Sequence, residues 1–210
     1  MGRDSIAVRS LSTKGEETRG RILDAAGELF LERGFEATSV SAIARAAQVS
    51  VPALYWHYGS KTELCYAYLE KMMRAFTDAL LEEPDEGTPV QRLRRFVRNY
   101  VRVQIEFRDW STAFEKLYTF GQLSTVLDDD QREQLNEGER QVIARLRLIL
   151  SDGRKAGVFR VRDVKLAAFA IANACEYAFQ WYNPHGKLSG DQIAEEYAKM
   201  MEGLAVNGQD

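Results

Sequence analysis

From Ala37 to Thr62 the chain carries no aspartate or glutamate, although acids supply 31 of its 210 residues and about four would fall in so long a window by chance. In their place stand hydroxyls at Thr38, Ser39 and Ser50, aromatic rings at Tyr55, Trp56 and Tyr58, an imidazole at His57 and cations at Arg45 and Lys61. These groups can donate hydrogen bonds to an anion and none repels it, as a surface that meets a phosphate backbone requires. A chance acid-poor turn is the rival explanation on charge alone. Thr38 and Ser39 precede a short apolar pattern, where a hydroxyl either caps a helix or joins its N–H groups in taking a phosphate. Lys61 opens the next long helix, an unfavourable place for a cation against the dipole, so phosphate contact is the stronger reading.

Other chemistry has less to work with. Only His57 and His185 supply imidazoles and only Cys65 and Cys175 supply thiols, so neither a disulfide framework nor a metal-ligand spacing arises. No G-x-S-x-G, H-E-x-x-H or phosphate-cradling glycine loop occurs, and Asp128 to Asp130 reads as a helix start. The expectation is no enzyme, no cofactor, no metal and two reduced thiols. A net charge of −3 and a pI near 5.6 exclude a protein that coats nucleic acid over its whole surface. The uncharged run Leu166 to Cys175 is about half of the roughly 20 residues a membrane span needs. No secretory signal opens the chain, and a cytoplasmic protein is expected.

Helical periodicity dominates, and no stretch alternates long enough for a strand, so the predicted class is all-α with about nine helices. They are expected at about Glu17 to Arg33, stopped by Gly34; Thr38 or Ser39 to Ala47; Ser50 to Gly59; and Ser60, with a Ser-x-x-Glu box, to Glu82. The rest run from the Thr88-Pro89 start to Phe107, Trp110 to Val126, Gln131 to Ala156, Val164 to Tyr182 and Ile193 to Leu204. Residues 1–15 read as a flexible polar arm, 16–66 as a helix-turn-helix domain and 67–210 as a ligand-binding and dimerisation domain.

The residues Ile22-Leu23-Asp24-Ala25-Ala26, Leu29-Phe30, Gly34-Phe35, Thr38-Ser39-Val40, Ile43-Ala44, Ala47, Val49-Ser50, Leu54-Tyr55-Trp56-His57-Tyr58, Ser60-Lys61 and Leu64 resemble the DNA-binding domain of the TetR family of bacterial repressors. The resemblance covers about residues 18 to 66. It implies a dimer that binds double-stranded operator DNA, with Tyr55 and His57 matching backbone-contacting positions. Val51, Ala53 and Trp56 are then placed to touch bases, the small apolar ones suiting a thymine methyl, while Ser50 caps first and contacts second. Gln48 departs from the family, standing where glycine usually makes the turn. The rival reading is a helical ligand-binding or interaction module with no DNA role.

Beyond residue 66 the residues themselves must speak. Phe96, Tyr100, Phe107, Trp110, Phe114, Tyr118 and Phe120 recur at helical steps and face inward, as core or as a pocket for a small hydrophobic effector. Asn99, Gln104, Asn173 and Tyr177 are expected to bring polar tips to that interior, with Trp181 beside them. The helix from Val164 is apolar nearly all round, so a second face must find cover. Ala167, Ile171, Ala174, Ala178 and Tyr182, with Ile193, Tyr197, Met200 and Met201 of the last helix, are expected to form a homodimer interface of four helices. Glu176 to Ser189, containing Trp181-Tyr182-x-Pro184-x-Gly186, resembles the acyl-CoA-responsive subgroup of the family. Arg145, Arg147, Arg154 and Lys155 would then meet CoA phosphates, or else form a solvated helix face.

Overall fold

The computed structural model describes residues 3–119 and 123–207, so Met1, Gly2 and Phe120 lie outside the described residues. Every element among them is helical: α1 Arg3–Arg33, α2 Val40–Ala46, α3 Val51–His57, α4 Lys61–Leu81, α5 Pro89–Glu106, α6 Arg108–Phe114, a π-helical turn Glu115–Thr119, α7 Leu123–Val126, α8 Asp129–Lys155, α9 Val164–Glu176, α10 Ala178–Trp181 and α11 Gly190–Asn207. Nine of the α-helices have seven residues or more, in agreement with the sequence reading.

The helix ends follow local chemistry. Gly34 leaves α1 at φ 80° and Gly157 follows α8 at φ 72°, both in the left-handed region that glycine enters without strain. Phe35 then packs back on Phe30, with ring centroids 5.8 Å apart. Thr88 and Gln91 complete a capping box on α5, and Ser189 with Gln192 closes one on α11. One boundary differs clearly from the sequence reading. Among the described residues no proline or left-handed glycine interrupts the chain before Gly34, and α1 begins at Arg3 instead of about Glu17.

The chain divides into two compact units. One holds residues up to Met72 together with Ala113–Arg132. Its core is Ile22, Ala26, Phe30, Ile43, Leu54, Tyr58, Leu64 and Leu69, so α2 and α3 sit on α1 and on the first turns of α4. Gly27 permits that closeness, because a Cβ there would lie 2.1 Å from the Tyr68 ring. The other unit holds Met73–Thr112 and Glu133–Asp210. Here α5 is the central rod: Leu93, Phe96, Val97, Tyr100, Val101 and Gln104 are buried at steps of three and four, against α9, α10 and α11. Arg94, Arg98 and Arg102 pair outside that seam with Glu202, Glu195 and Asp191 of α11.

Between α2 and α3, Gln48 adopts φ 56° and is the positive-φ non-glycine residue among those described. An L side chain there costs about 1–2 kcal/mol, of which glycine's extra unfolded-chain entropy would return part. Gln48→Gly is therefore expected to stabilise the chain by about 0.5–1 kcal/mol in urea denaturation. A decrease in stability would show that the Gln48 side chain contributes more than its backbone costs.

Candidate functional site

The turn Ala47–Ser50 sets α3 against α2, and side chains fix both starts. Ser39 Oγ accepts from the Ala42 N–H at 3.2 Å, and Ser50 Oγ accepts from the Ala53 N–H at 3.2 Å, with Pro52 in the first turn where it removes no bond. Ile43, Ala44 and Leu54 point into the core. That leaves Ser39, Arg45, Ser50, Tyr55 and Trp56 exposed, with Val51, Ala53 and His57 half-buried beside them. Trp56 is 80% exposed, its ring edge-on to His57 at 4.7 Å. A tryptophan held so far into solvent on a short helix gains nothing for the core. Arg45 on α2, named in the sequence only as a cation of the acid-free window and given no contact of its own, also stands exposed on this face. Its signal was present, since it is the one arginine of the acid-free window.

Two residues assigned to phosphate contact turn inward instead. Thr38 is buried, and its hydroxyl donates toward the Gly34 carbonyl at 2.7 Å and the Leu29 carbonyl at 3.1 Å, tying the end of α1 to the start of α2. Lys61 Nζ donates to the carbonyls of Phe35 at 2.9 Å and Thr38 at 3.2 Å, and lies 4.2 Å from the centre of the Phe35 ring. A cation in the first turn of α4 thus takes two carbonyls of the α1–α2 connection. Tyr58 is fixed in a similar way: its hydroxyl donates to the Arg19 carbonyl at 3.3 Å, while the Arg19 guanidinium lies over its ring and bonds the His57 carbonyl. Burial raises the Tyr58 hydroxyl above its usual range.

In the second unit, Phe107 and Trp110 gather on Phe76, with ring centroids 5.6 and 5.3 Å away, and Tyr100 meets Phe96 at 5.9 Å. Gln104 accepts a hydrogen bond from Ser111 within this interior. Burial, reinforced by Glu176, raises the Tyr100 hydroxyl well above its usual range. Phe114 and Tyr118 meet with tilted rings 5.1 Å apart and belong to the first unit. The interior placement fails for three residues: Asn173, Tyr177 and Trp181 are exposed. Arg145 is held by Asp85 and the Glu83 carbonyl, and Arg154 by the Arg162 carbonyl, whereas Arg147 and Lys155 are exposed.

Those three residues share an outer face with Leu166, Phe169, Met200 and Leu204, of which Leu166 is 70% and Trp181 53% exposed. Of the residues assigned to a dimer face, Ile171, Ala178 and Ile193 are buried within the chain, and Ala167, Ala174, Tyr182, Tyr197 and Met201 are half-buried. Only Met200 is exposed. The correction is one of register. Helix α9 is apolar all round, and α5 covers its Ala168-Ile171-Ala172-Cys175 stripe, leaving the adjacent stripe outward.

Cys65 and Cys175 are buried free thiols, each pushed up to about 12 by burial. Among the described residues no group of His, Cys, Asp and Glu is placed to hold a metal ion, and no helix is long and apolar enough to cross a membrane.

Residues 22–68 match the family described as bacterial regulatory proteins, tetR family, and residues 86–204 match the tetracyclin repressor-like C-terminal domain. The transcriptional repressor KstR2 of Rhodococcus jostii is 29% identical over 190 residues, spanning 89% of this chain and 91% of that protein. A tetR-family regulatory protein from Rhodococcus RHA1 superposes with a TM-score of 0.76 at 24% identity, covering 92% of this chain and 98% of its own. The regulator AibR, solved with isovaleryl coenzyme A and operator DNA, gives 0.69 at 25% identity, covering 91% and 100%. The window free of carboxylates, the capped pair α2–α3 and these likenesses agree, and the chain belongs to the TetR family as a ligand-responsive, DNA-binding transcriptional regulator.

Proposed function

We propose that the chain works as a homodimeric repressor: two copies of α3 enter successive major grooves of an operator, and a small hydrophobic effector releases them. The observation that carries this reading is the outer surface of α2 and α3, where Ser39, Arg45, Tyr55 and Trp56 stand exposed with no carboxylate between Glu36 and Glu63. Successive grooves lie about 34 Å apart, so the second copy is part of the site. That copy covers the outer stripe Leu166, Phe169, Tyr177, Trp181, Met200 and Leu204. The effector takes the interior of the second unit near Tyr100, Gln104, Phe107 and Trp110, followed in the chain by the π-helical turn, a geometry frequent at functional sites. An acyl-CoA thioester is the effector class we favour, supported by the Glu176–Ser189 resemblance and by the isovaleryl coenzyme A bound to AibR.

Three measurements test these assignments. On a duplex selected by the protein from a random-sequence library, Trp56→Ala is expected to weaken binding by about 1–3 kcal/mol, with folding stability changed by less than about 0.5 kcal/mol. Arg45→Gln should lower the slope of log affinity against log salt by about one, whereas Lys61→Met should chiefly destabilise the fold. Unchanged affinity in both Trp56→Ala and Arg45→Gln would remove α2–α3 as the reading face. Leu166→Glu should convert the dimer to a monomer in sedimentation and abolish tight duplex binding; a dimer that persists would place the interface elsewhere. Calorimetric titration with acyl-CoAs from short to long chains should give heat for at least one, and that one should weaken duplex binding by roughly 5- to 150-fold. No heat from any of them rules out this effector class.

A further inference from the structure

Asn99, Tyr100 and Gln104 interrupt the buried apolar stripe of α5, and they differ in how far their donors are met. Asn99 gives its amide to the Ala79 and Leu80 carbonyls at 2.8 and 3.1 Å. Gln104, 3% exposed, accepts from the Ser111 hydroxyl at 3.3 Å through its side-chain oxygen, and nothing among the described residues accepts from its amide nitrogen. Tyr100, 5% exposed, meets Phe96 edge-on through its ring, and nothing among the described residues accepts from its hydroxyl. The two stand four residues apart on one helix, so their side chains leave the same face with Cβ atoms about 5–6 Å apart. Phe96, one turn before the pair, and Phe107, at the end of α5, are hydrocarbon and offer no acceptor. A buried donor in such surroundings has given up its water and gained nothing in return. Burial first, and after it the carboxylates Glu176 of α9 and Glu139 of α8, hold the Tyr100 hydroxyl well above its usual range, so at neutral pH it is a donor and not an anion.

We infer that Tyr100 and Gln104 are specificity-determining residues, two neighbouring donors for one neutral carbonyl oxygen of the effector. The inference deepens the reading above, that a thioester enters the interior of the second unit, and rests on it. A carbonyl oxygen has two lone pairs and can accept from both donors at once. A purely hydrocarbon effector would leave both donors buried and unmet, and a site built to hydrogen-bond its ligand rejects the analogue that lacks the partner group. A carboxylate would supply oxygens but would meet the charges of Glu176 and Glu139, which already disfavour an anion at Tyr100. The pair therefore selects the thioester both against a carbon chain without the carbonyl and against a carboxylate in its place.

Calorimetry on the full-length protein tests this with three probes of one chain length. They are the acyl-CoA that binds most tightly in a series from short to long chains, its S-alkyl-CoA thioether with CH2 in place of the carbonyl, and the S-(1-carboxyalkyl)-CoA that carries a carboxylate on that carbon. The thioester is expected to bind about 10- to 100-fold more tightly than either analogue. In Tyr100→Phe the thioester should lose roughly 5- to 20-fold and the thioether nothing. The unfolding midpoint of the ligand-free variant should not fall, because the hydroxyl removed has no acceptor among the described residues. With Gln104→Leu added, thioester and thioether should bind alike. Equal binding of the two by the unaltered protein, or a loss in Tyr100→Phe that falls on both probes equally, would reduce the pair to packing and overturn the inference. Tightest binding of the carboxylate probe would overturn it in favour of an anion site. If no acyl-CoA binds at all, the effector class proposed above fails and the inference falls with it, an outcome distinct from a protein that binds thioester and thioether alike.

Discussion

Two helices of seven residues each cannot hold a shape in water, because each turn costs more conformational entropy than its few hydrogen bonds return. A surface that must match a duplex therefore depends on what fastens α2 and α3 to their neighbours. Here the fastening is a set of backbone carbonyls met by side chains: Lys61 on Phe35 and Thr38, Thr38 on Leu29 and Gly34, Arg19 on His57, Tyr58 on Arg19. A partly buried hydrogen bond from a charged donor contributes about 1.5–3 kcal/mol, several times what an exposed ion pair gives. It also leaves no carboxylate at the surface. The cations that secure the module take carbonyls as partners, and the outward face stays free of groups that would repel phosphate.

A second economy of the same kind lies in α5. Its buried stripe is not purely apolar: Asn99, Tyr100 and Gln104 sit among Leu93, Phe96, Val97 and Val101. An unsatisfied polar group there would cost about 1–3 kcal/mol, so each must be matched. Asn99 spends both amide hydrogens on the end of α4, and Gln104 accepts from Ser111 of α6. These residues make α5 specific for its neighbours. An entirely apolar stripe of that length would pack against α4, α6, α9 and α11 in several registers of similar energy, whereas hydrogen-bond geometry admits one.

The distinction between patterns that read locally and contacts that close across the fold explains what the sequence reveals. Caps and stops are local, so Gly34, Ser50, Thr88, Gly157 and Ser189 announce their helices, and the two-helix reading module with its strained Gln48 is legible down to the turn. The acid-free window is local too, and it marks the exposed polar face of α2 and α3 even though its members sort differently. Thr38 and Lys61 have the right chemistry for phosphate and are used for carbonyls, because their partners, Leu29 and Phe35, are set by the path of the chain after Gly34. The early start of α1 escapes because the apolar period that marks the helix begins only near Ile22, and the residues before it are mostly polar. Helix α9 shows the limit most clearly. Its alanine-rich surface offers two similar stripes, and only the approach of α5 decides that Ile171 goes in and that Leu166, Phe169 and Asn173 go out.

The arginines of α5 divide into two classes that differ in what their loss would cost. Arg94, Arg98 and Arg102 face Glu202, Glu195 and Asp191 along an exposed seam, where each pair is worth about 0–1 kcal/mol and re-forms readily with a new neighbour. Arg92 is 11% exposed at its side chain and bonds Asp85 and Asp152 at once, while Arg145 also reaches Asp85, so these charges share partners and each hydrogen bond there is worth more than one at the exposed seam. Polar contacts therefore hold the segment after α4 to α5 and α8 more firmly than the exposed ion pairs hold α5 to α11.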